Sequence, residues 1–413
     1  MITSSFRISS LTLVNYKRFN ELNVCLDPHL TVLSGMNGAG KSTLLNAMTI
    51  VMSWVIARLR NENGVGRYIN PIEICNGNSD ACITACFADD VQVTIPNKAV
   101  PGLSKKFVFD IAGLKPYLIE KRTELITSDR ATLPVMAFYG VKRAVLDIPI
   151  LTRHKEYNIF DSYDGALEGA VNFRSFFTWF RACEDWENEK NARSQDATCI
   201  EHPGLKAFRE AMSIVMPGYD NLKIFRHPLR MMIRKGDQNL NIEQLSDGEK
   251  IYIALIGDLC HRLSLANPHG NPLEGEGIIM IDEVDLHLHP QWQSRIAMQL
   301  PKIFPNLQFV VTTHSPHVIN SVPDRCVRML TDDGNIENAP YAYGMPSEVI
   351  LEDVMNLKTD VPREVAVVID SFTKAYSHRN IENVKACIIQ LEEMVPRHPD
   401  LPRMRKLAER LQR

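Results

Sequence analysis

Residues Gly35-Met36-Asn37-Gly38-Ala39-Gly40-Lys41-Ser42 fit the pattern G-x-x-x-x-G-K-[ST] in full, and no other feature constrains the chain as strongly. At average residue usage such a match arises by chance in roughly one chain of this length in seventy. Its setting agrees: the apolar run Leu30–Leu33 enters the loop and a helical pattern leaves it from Thr43. Glycines let backbone N–H groups approach phosphates with no Cβ in the way. The helix N-terminus adds its partial positive charge. Lys41 is placed to neutralise the β- and γ-phosphates of a nucleotide and Ser42 to ligate Mg²⁺, with Gly35, Asn37, Gly38, Ala39, Gly40 and Thr43 wrapping the phosphates.

A second element of the same chemistry follows far along the chain. Ile278-Ile279-Met280-Ile281 is a buried-strand pattern ending in Asp282 and Glu283. Asp282 suits the surroundings of Mg²⁺, and Glu283 suits the base that polarises an attacking water. Alone, a strand ending in acids is common. Leu245-Ser246-Asp247-Gly248-Glu249-Lys250 opens a helix upstream, with Ser246 as a good N-cap. Downstream, Phe309-Val310-Val311-Thr312-Thr313-His314 is a strand ending in a histidine.

Composition excludes several other classes. The 413 residues are 45% apolar and 23% charged, which fits ordinary globular folding and excludes a disordered chain. A net charge of −3 neither requires nor forbids nucleic acid. Nine scattered cysteines without a CxxC pair read as reduced core residues of a cytoplasmic protein. Cys82 and Cys86 share one face of a strand, a spacing better explained by a core than by a metal. No secretory pattern opens the chain, and the apolar stretch Leu44–Ala57, interrupted by Asn46, Thr49 and Ser53, is too short and too polar to cross a membrane.

Hydrophobic periodicity gives an α/β chain. Residues 6–33 read as strands of a meander, and residues 80–120 are again strand-like. Phe173, Phe176, Phe177, Phe180, Cys183 and Trp186 follow helical spacing. Strand and helix alternate from residue 278 to 316, so a largely parallel sheet is expected there. Four segments result: an ATPase lobe with N-terminal strands and a β-subdomain over 1–145, a helical insertion over 146–240, a lobe carrying the Ser246 helix, the Asp-Glu strand and the histidine strand over 241–345, and a helical interaction segment over 346–413.

The order of phosphate loop, Ser246 hexapeptide, Asp-Glu strand and terminal-strand histidine resembles the ABC-class ATPases. Asp282 lies 241 residues after Lys41, too far for ring-forming AAA+ ATPases, and the hexapeptide begins too late for transporter subunits. The spacing resembles the recombination, repair and overcoming-lysogenisation branch. Gly277 to Gln293, Phe304-Pro305-Asn306-Leu307-Gln308-Phe309 and Thr312-Thr313-His314-Ser315-Pro316 narrow the resemblance to bacterial stand-alone ATPases that include the Septu and retron-associated anti-phage defence ATPases. Phe176-Phe177-Thr178-Trp179-Phe180 and Glu184-Asp185-Trp186-Glu187-Asn188-Glu189 resemble the helical segment of that family.

The resemblance implies an ABC-type ATPase head with a mixed sheet, taking ATP and Mg²⁺. It implies that Asp285 lies in the loop joining two sites of a dimer and that His314 contacts the γ-phosphate. Ser246 and Gly248 would reach the γ-phosphate held by the opposite subunit. Lys17 and Arg18 fall where the family places basic contacts to nucleotide. His287 and His289 are explained by the same loop rather than by a metal. One departure stands out: the glutamine expected after the strand at Leu133–Tyr139 is missing, and Gly140-Val141-Lys142-Arg143 offers Lys142 or Arg143 instead.

Residues 150–235 are too few for long coiled-coil arms, and the stretch after residue 346 is too short for an acidic nuclease domain. The expectation is therefore a cytoplasmic ATPase that forms a homodimer or higher homo-oligomer and controls a separate nuclease or effector, of HNH type if Septu-like, in anti-phage defence. A DNA-repair ATPase in contact with nucleic acid and a nucleotide-locked scaffold with little turnover are the alternatives. Two amphipathic stretches near the C-terminus, one lined by Ile381, Val384, Ile388 and Leu391 and one by Leu401, Met404, Leu407 and Leu411, read as a helical cap on the chain's own core, as a docking surface for an effector or a second ATPase, or as a nucleic-acid contact. The last 19 residues hold Arg397, Arg403, Arg405, Lys406, Arg410 and Arg413 against Asp400 and Glu409.

Overall fold

The computed structural model describes residues 6–98, 106–141, 157–194, 199–331, 333–339, 341–355 and 362–411. The chain divides into two compact units, Met1–Ile350 and Leu351–Arg413.

Among the described residues of the first unit, thirteen strands form three sheets. In chain order they are β1 (Ile8–Tyr16), β2 (Phe19–Cys25), β3 (Leu30–Gly35), β4 (Cys82–Phe87), β5 (Gln92–Pro96), β6 (Val135–Tyr139) and β7 (Tyr219–Arg226). They continue as β8 (Leu229–Lys235), β9 (Gln238–Asn241), β10 (Gly277–Ile281), β11 (Leu307–Thr312), β12 (Val327–Leu330) and β13 (Ile336–Asn338). The main helices are α1 (Lys41–Arg60), α2 (Lys115–Thr127), α3 (Phe173–Arg193), α4 (Pro203–Val215), α5 (Asp247–Ala266) and α6 (Pro290–Ile303).

The central sheet runs β13-β12-β3-β11-β10-β6 and is parallel except for β13. Its strands β3, β11 and β10 are buried along their whole length. That burial explains their unbroken apolar runs, as both faces must be covered. The meander expected over residues 6–33 does not form as such. β1 and β2 pair antiparallel, but β3 leaves them for the central sheet, because a strand buried on both faces belongs between β11 and β12 rather than at the edge of a half-exposed sheet.

The second sheet, β2-β1-β4-β5, is antiparallel. Gln308 fastens it to the first: its amide accepts from the Ile8 N–H at 2.9 Å and donates to the Ile8 carbonyl at 2.7 Å. A buried glutamine on a central strand is thereby satisfied. The strand-like reading of 80–120 holds for β4 and β5 and gives way to α2 from Lys115.

The 146–240 segment is helical only in part. α3 and α4 pack through Phe176, Phe180 and Phe208, while Trp186 stays at the rim, 37% exposed. From Tyr219 the period changes to two: Leu222 and Ile224, then Met231 and Ile233, are buried, and β7, β8 and β9 form an antiparallel sheet. The stretch expected to be too short and too polar for a membrane lies within α1, which at 20 residues is the one helix among those described that is long and apolar enough to cross one, and 61% of its apolar window is buried inside the protein.

Among its described residues the second unit packs the helices Arg363–Ser377, Ile381–Met394 and Leu401–Leu411 together. They share one core of Val365, Val368, Phe372, Val384, Leu391, Leu401 and Met404. The first of them is an amphipathic element additional to the two expected from the sequence.

Candidate functional site

The site lies at the carboxyl ends of the parallel strands, where backbone ends and helix starts converge. β3 delivers Gly35, the loop turns through Gly38 and Gly40, and α1 begins at Lys41. Gly40 has φ +108, and a Cβ there would run into the Phe19 ring, so only glycine fits. Lys41 is buried and its Nζ donates to the carbonyls of Gly35 at 2.8 Å and Met36 at 3.0 Å. Burial lowers the Lys41 pKa, against the opposing pull of Asp282, Glu283 and Asp285. Three carboxylates therefore face this ammonium.

β11 lies between β3 and β10. That order sets Thr312 beside Asp282, and its hydroxyl donates to Asp282 Oδ1 at 2.6 Å. From the other side the Ser42 hydroxyl reaches Asp282 Oδ2 at 2.8 Å and Oδ1 at 3.1 Å. A serine hydroxyl and a carboxylate are hard oxygen donors suited to Mg²⁺, which binds through one or two protein oxygens plus phosphates and water. The residues present therefore fit that ion. Nothing in the linear pattern singles out Thr312 beyond its place at the end of an apolar strand two residues before His314.

Glu283 sits in left-handed backbone at φ +48, with its N–H held by Thr312 Oγ1 at 2.7 Å. Such a conformation in a non-glycine residue costs energy and recurs where a side chain must be aimed. Asp285 accepts from the Thr313 hydroxyl, and Gln293 donates to the Asp285 carbonyl at 3.3 Å. His314 is half-buried. Burial and then the Lys41 charge lower its pKa, while Glu283, Asp285 and Asp282 raise it. Lys41, Asp282, Glu283, Asp285 and His314 thus form one electrostatic cluster.

Ser246 caps α5, and its hydrogen bonds run to Glu249. Gly248 packs against the backbone of His287, where a Cβ would meet the His287 carbonyl. The hexapeptide thereby abuts the Asp285 loop. Of the two basic residues after β1, Arg18 donates to the Gly38 carbonyl in the phosphate loop. Lys17 turns away, with φ +51, and pairs with Glu73 at 3.6 Å. Of the pair, Arg18 therefore lies against the phosphate loop and Lys17 against Glu73. Lys142 and Arg143 lie outside the described residues. His289 Nδ1 accepts from the Gln291 N–H at 3.3 Å as the cap of α6.

A buried network anchors α5 under this site. The Tyr139 hydroxyl at the end of β6 donates to Asp258 Oδ2 at 2.8 Å, and Arg262 Nε reaches the same oxygen at 2.7 Å. Arg262 also donates to the Ser162 carbonyl at 2.8 Å. The end of β6 is therefore tied to the helix that Ser246 caps.

The sequence profile of a family described as "AAA domain, putative AbiEii toxin, Type IV TA system" matches residues 122–320. One described as "AAA domain" matches residues 10–213. The retron Ec83 probable ATPase of Escherichia coli is 30% identical, over 87% of this chain and 78% of its own length. The retron Vc95 probable ATPase of Vibrio cholerae is 28% identical, over 80% of this chain and 74% of its own. The Septu protein PtuA of Bacillus thuringiensis is 28% identical, over 59% and 62%. Among solved structures, the SMC head domain from Thermotoga maritima aligns with a TM-score of 0.46 at 15% identity, over 81% of this chain and 100% of that one.

Proposed function

The chain belongs to the family of retron-associated ATPases, and from that premise we propose that it is the nucleotide-driven subunit of an anti-phage defence system that controls a separate effector or nuclease. It is an ATPase. The observation that carries the reading is the Asp282 carboxylate, bound by Ser42 and Thr312 beside the buried Lys41.

In this reading Lys41 neutralises the β- and γ-phosphates, and the backbone N–H groups from Asn37 to Thr43 cradle them. Ser42 and Asp282 would hold Mg²⁺, which supplies further charge neutralisation on the phosphates. Glu283 takes the proton of the water that attacks the γ-phosphorus, and His314 hydrogen-bonds the γ-phosphate. Ser246 and Gly248 close on the site of a second copy, so ATP drives pairing and hydrolysis undoes it. The paired form is the one that restrains or releases the effector in the cytoplasm.

The test is whether ATP pairs the chains and whether pairing changes the effector. The chain is purified with the protein encoded beside it, and its mass is measured by light scattering with ATP and with ADP. A rise in mass with ATP alone, together with a change in effector activity, is the expected result. Turnover stimulated by DNA, with no effect on the neighbouring protein, would replace this reading with that of a repair ATPase.

A further inference from the structure

Ser246 is exposed, yet its hydroxyl faces inward. Its Oγ lies 2.7 Å from Glu249 Oε2, and its N–H donates to the same oxygen at 2.6 Å. Glu249 is itself buried. Its other oxygen accepts from Lys235 Nζ at 2.7 Å and from the Tyr219 hydroxyl. Burial pushes the Glu249 carboxyl up, but hydrogen bonds from Lys235, Tyr219 and Ser246 outweigh it and hold the pKa at about 2. Glu249 is therefore a carboxylate, and a carboxylate only accepts. The single proton of the Ser246 hydroxyl must point at it. What Ser246 offers outward is a lone pair, which a phosphate oxygen repels.

The clamp has a definite origin. Lys235 ends β8 and Tyr219 begins β7, where the two residues are paired in register. Lys235 also lies over the Tyr219 ring, 5.1 Å from its centroid. Both donors belong to the small antiparallel sheet, not to α5, so a shift of that sheet relaxes the clamp without unwinding the helix.

We propose that Glu249, clamped by Lys235 and Tyr219, is a positioning residue that withholds the hydroxyl proton of Ser246, so that the serine serves the γ-phosphate of the opposite copy only when the clamp is relaxed. The proposal rests on the reading, made above, that Ser246 acts across a dimer.

The test uses the full chain and follows turnover, ATP-driven pairing and ADP affinity. Glu249→Gln replaces the anionic acceptor with an amide that accepts weakly or donates to Oγ, and either outcome frees the proton outward. Turnover and pairing are expected to gain on the order of fivefold, the difference between a hydrogen bond to a charged and to a neutral acceptor. ADP affinity stays unchanged, because ADP has no γ-phosphate. Glu249→Leu, which removes the acceptor outright, moves both readouts in the same direction and decides the matter if Glu249→Gln melts early. In a Ser246→Ala background the gain must vanish. A gain that persists there, or variants with a normal melting temperature and no gain, would overturn the latch while leaving the shared site standing. Wild-type pairing and turnover in Ser246→Ala alone would instead remove the shared-site reading.

Discussion

Ser42 Oγ lies 2.8 Å from Asp282 Oδ2, although 240 residues of chain separate them. The contact follows from strand order. β11 is inserted between β3 and β10 with Val32 opposite Val311 and Ile281 opposite Val311, so the three strand ends align. Thr312 then bridges the gap by donating to Asp282. A hydroxyl, a carboxylate and a second hydroxyl end up in a row beside one buried ammonium.

Lys41→Ala removes that ammonium and its two carbonyl contacts. ATP affinity should fall by at least about a hundredfold, as for loss of a charge-assisted phosphate contact of about 3 kcal/mol. Calorimetry with ATP checks this. Unchanged affinity would mean that the phosphates bind elsewhere.

Glu283→Gln keeps the side-chain shape and the backbone bond to Thr312 but cannot take a proton. ATP binding should persist while turnover falls by about 100-fold or more, in the range for a lost general base. ATP-bound pairs should accumulate in light scattering. Wild-type turnover would move the base to another residue.

Ser246 should act in trans. Mixing Lys41→Ala chains with Ser246→Arg chains leaves one composite site intact per mixed pair, so some turnover should return where neither variant alone has any. Gly248→Ala should fail for a different reason, since its Cβ meets the His287 carbonyl and pushes the hexapeptide off the Asp285 loop. Mixed pairs that form and stay inactive would count against the shared site.

The parts of this site that the sequence discloses are those whose chemistry is contiguous. The phosphate loop and the Asp282–Glu283 strand end each carry their meaning within a few residues. Thr312 does not, because its role depends on which strands flank β11. Lys17 and Arg18 are adjacent, and only the left-handed backbone at Lys17 decides that one pairs with Glu73 and the other with the phosphate loop. The sheet from Tyr219 to Asn241 is missed for a different reason. Its period-two pattern follows a strongly helical, phenylalanine-rich stretch, and the edge strand β9 has no buried residue to announce it. The same sheet supplies Lys235 and Tyr219, so the clamp on Glu249 is invisible until the sheet is seen.

Glu184 predicts a pH effect on stability. It is buried on α3, accepting from the Ile224 N–H at 3.2 Å and facing Arg226 at 3.4 Å and the Asp185 carboxyl. Burial outweighs the lowering pull of Ile224 and Arg226 and pushes its pKa up to about 7. The folded chain therefore binds more protons than the unfolded chain between the ordinary carboxylate pKa and about 7. Stability falls as pH rises through that window. Glu184→Gln should match wild type near pH 5 and be more stable near pH 8 by about 2–3 kcal/mol in urea melts. A difference that does not change with pH would show that Glu184 is charged throughout.

Among its described residues the unit from Leu351 to Arg413 contributes no group to the nucleotide site described above, yet it has its own core, so something other than catalysis maintains it. Its helix Leu401–Leu411 turns Arg403, Arg405, Lys406 and Arg410 to solvent, and Val367 and Ile389 are exposed on the other two helices. Exposed arginine together with exposed aliphatic side chains is the composition of protein interfaces. Where the unit is cut matters. Removing residues from 380 onward strips the partners of Val365, Val368 and Phe372 and leaves an apolar stripe on Arg363–Ser377, which invites aggregation whatever the unit does. Removal from 351 takes the core away whole. The shortened chain should bind ATP with wild-type affinity in calorimetry while losing its effector partner in a pull-down or its full oligomer in light scattering. Retention of both would assign the unit to another task, and loss of ATP binding would show that the first unit depends on it to fold.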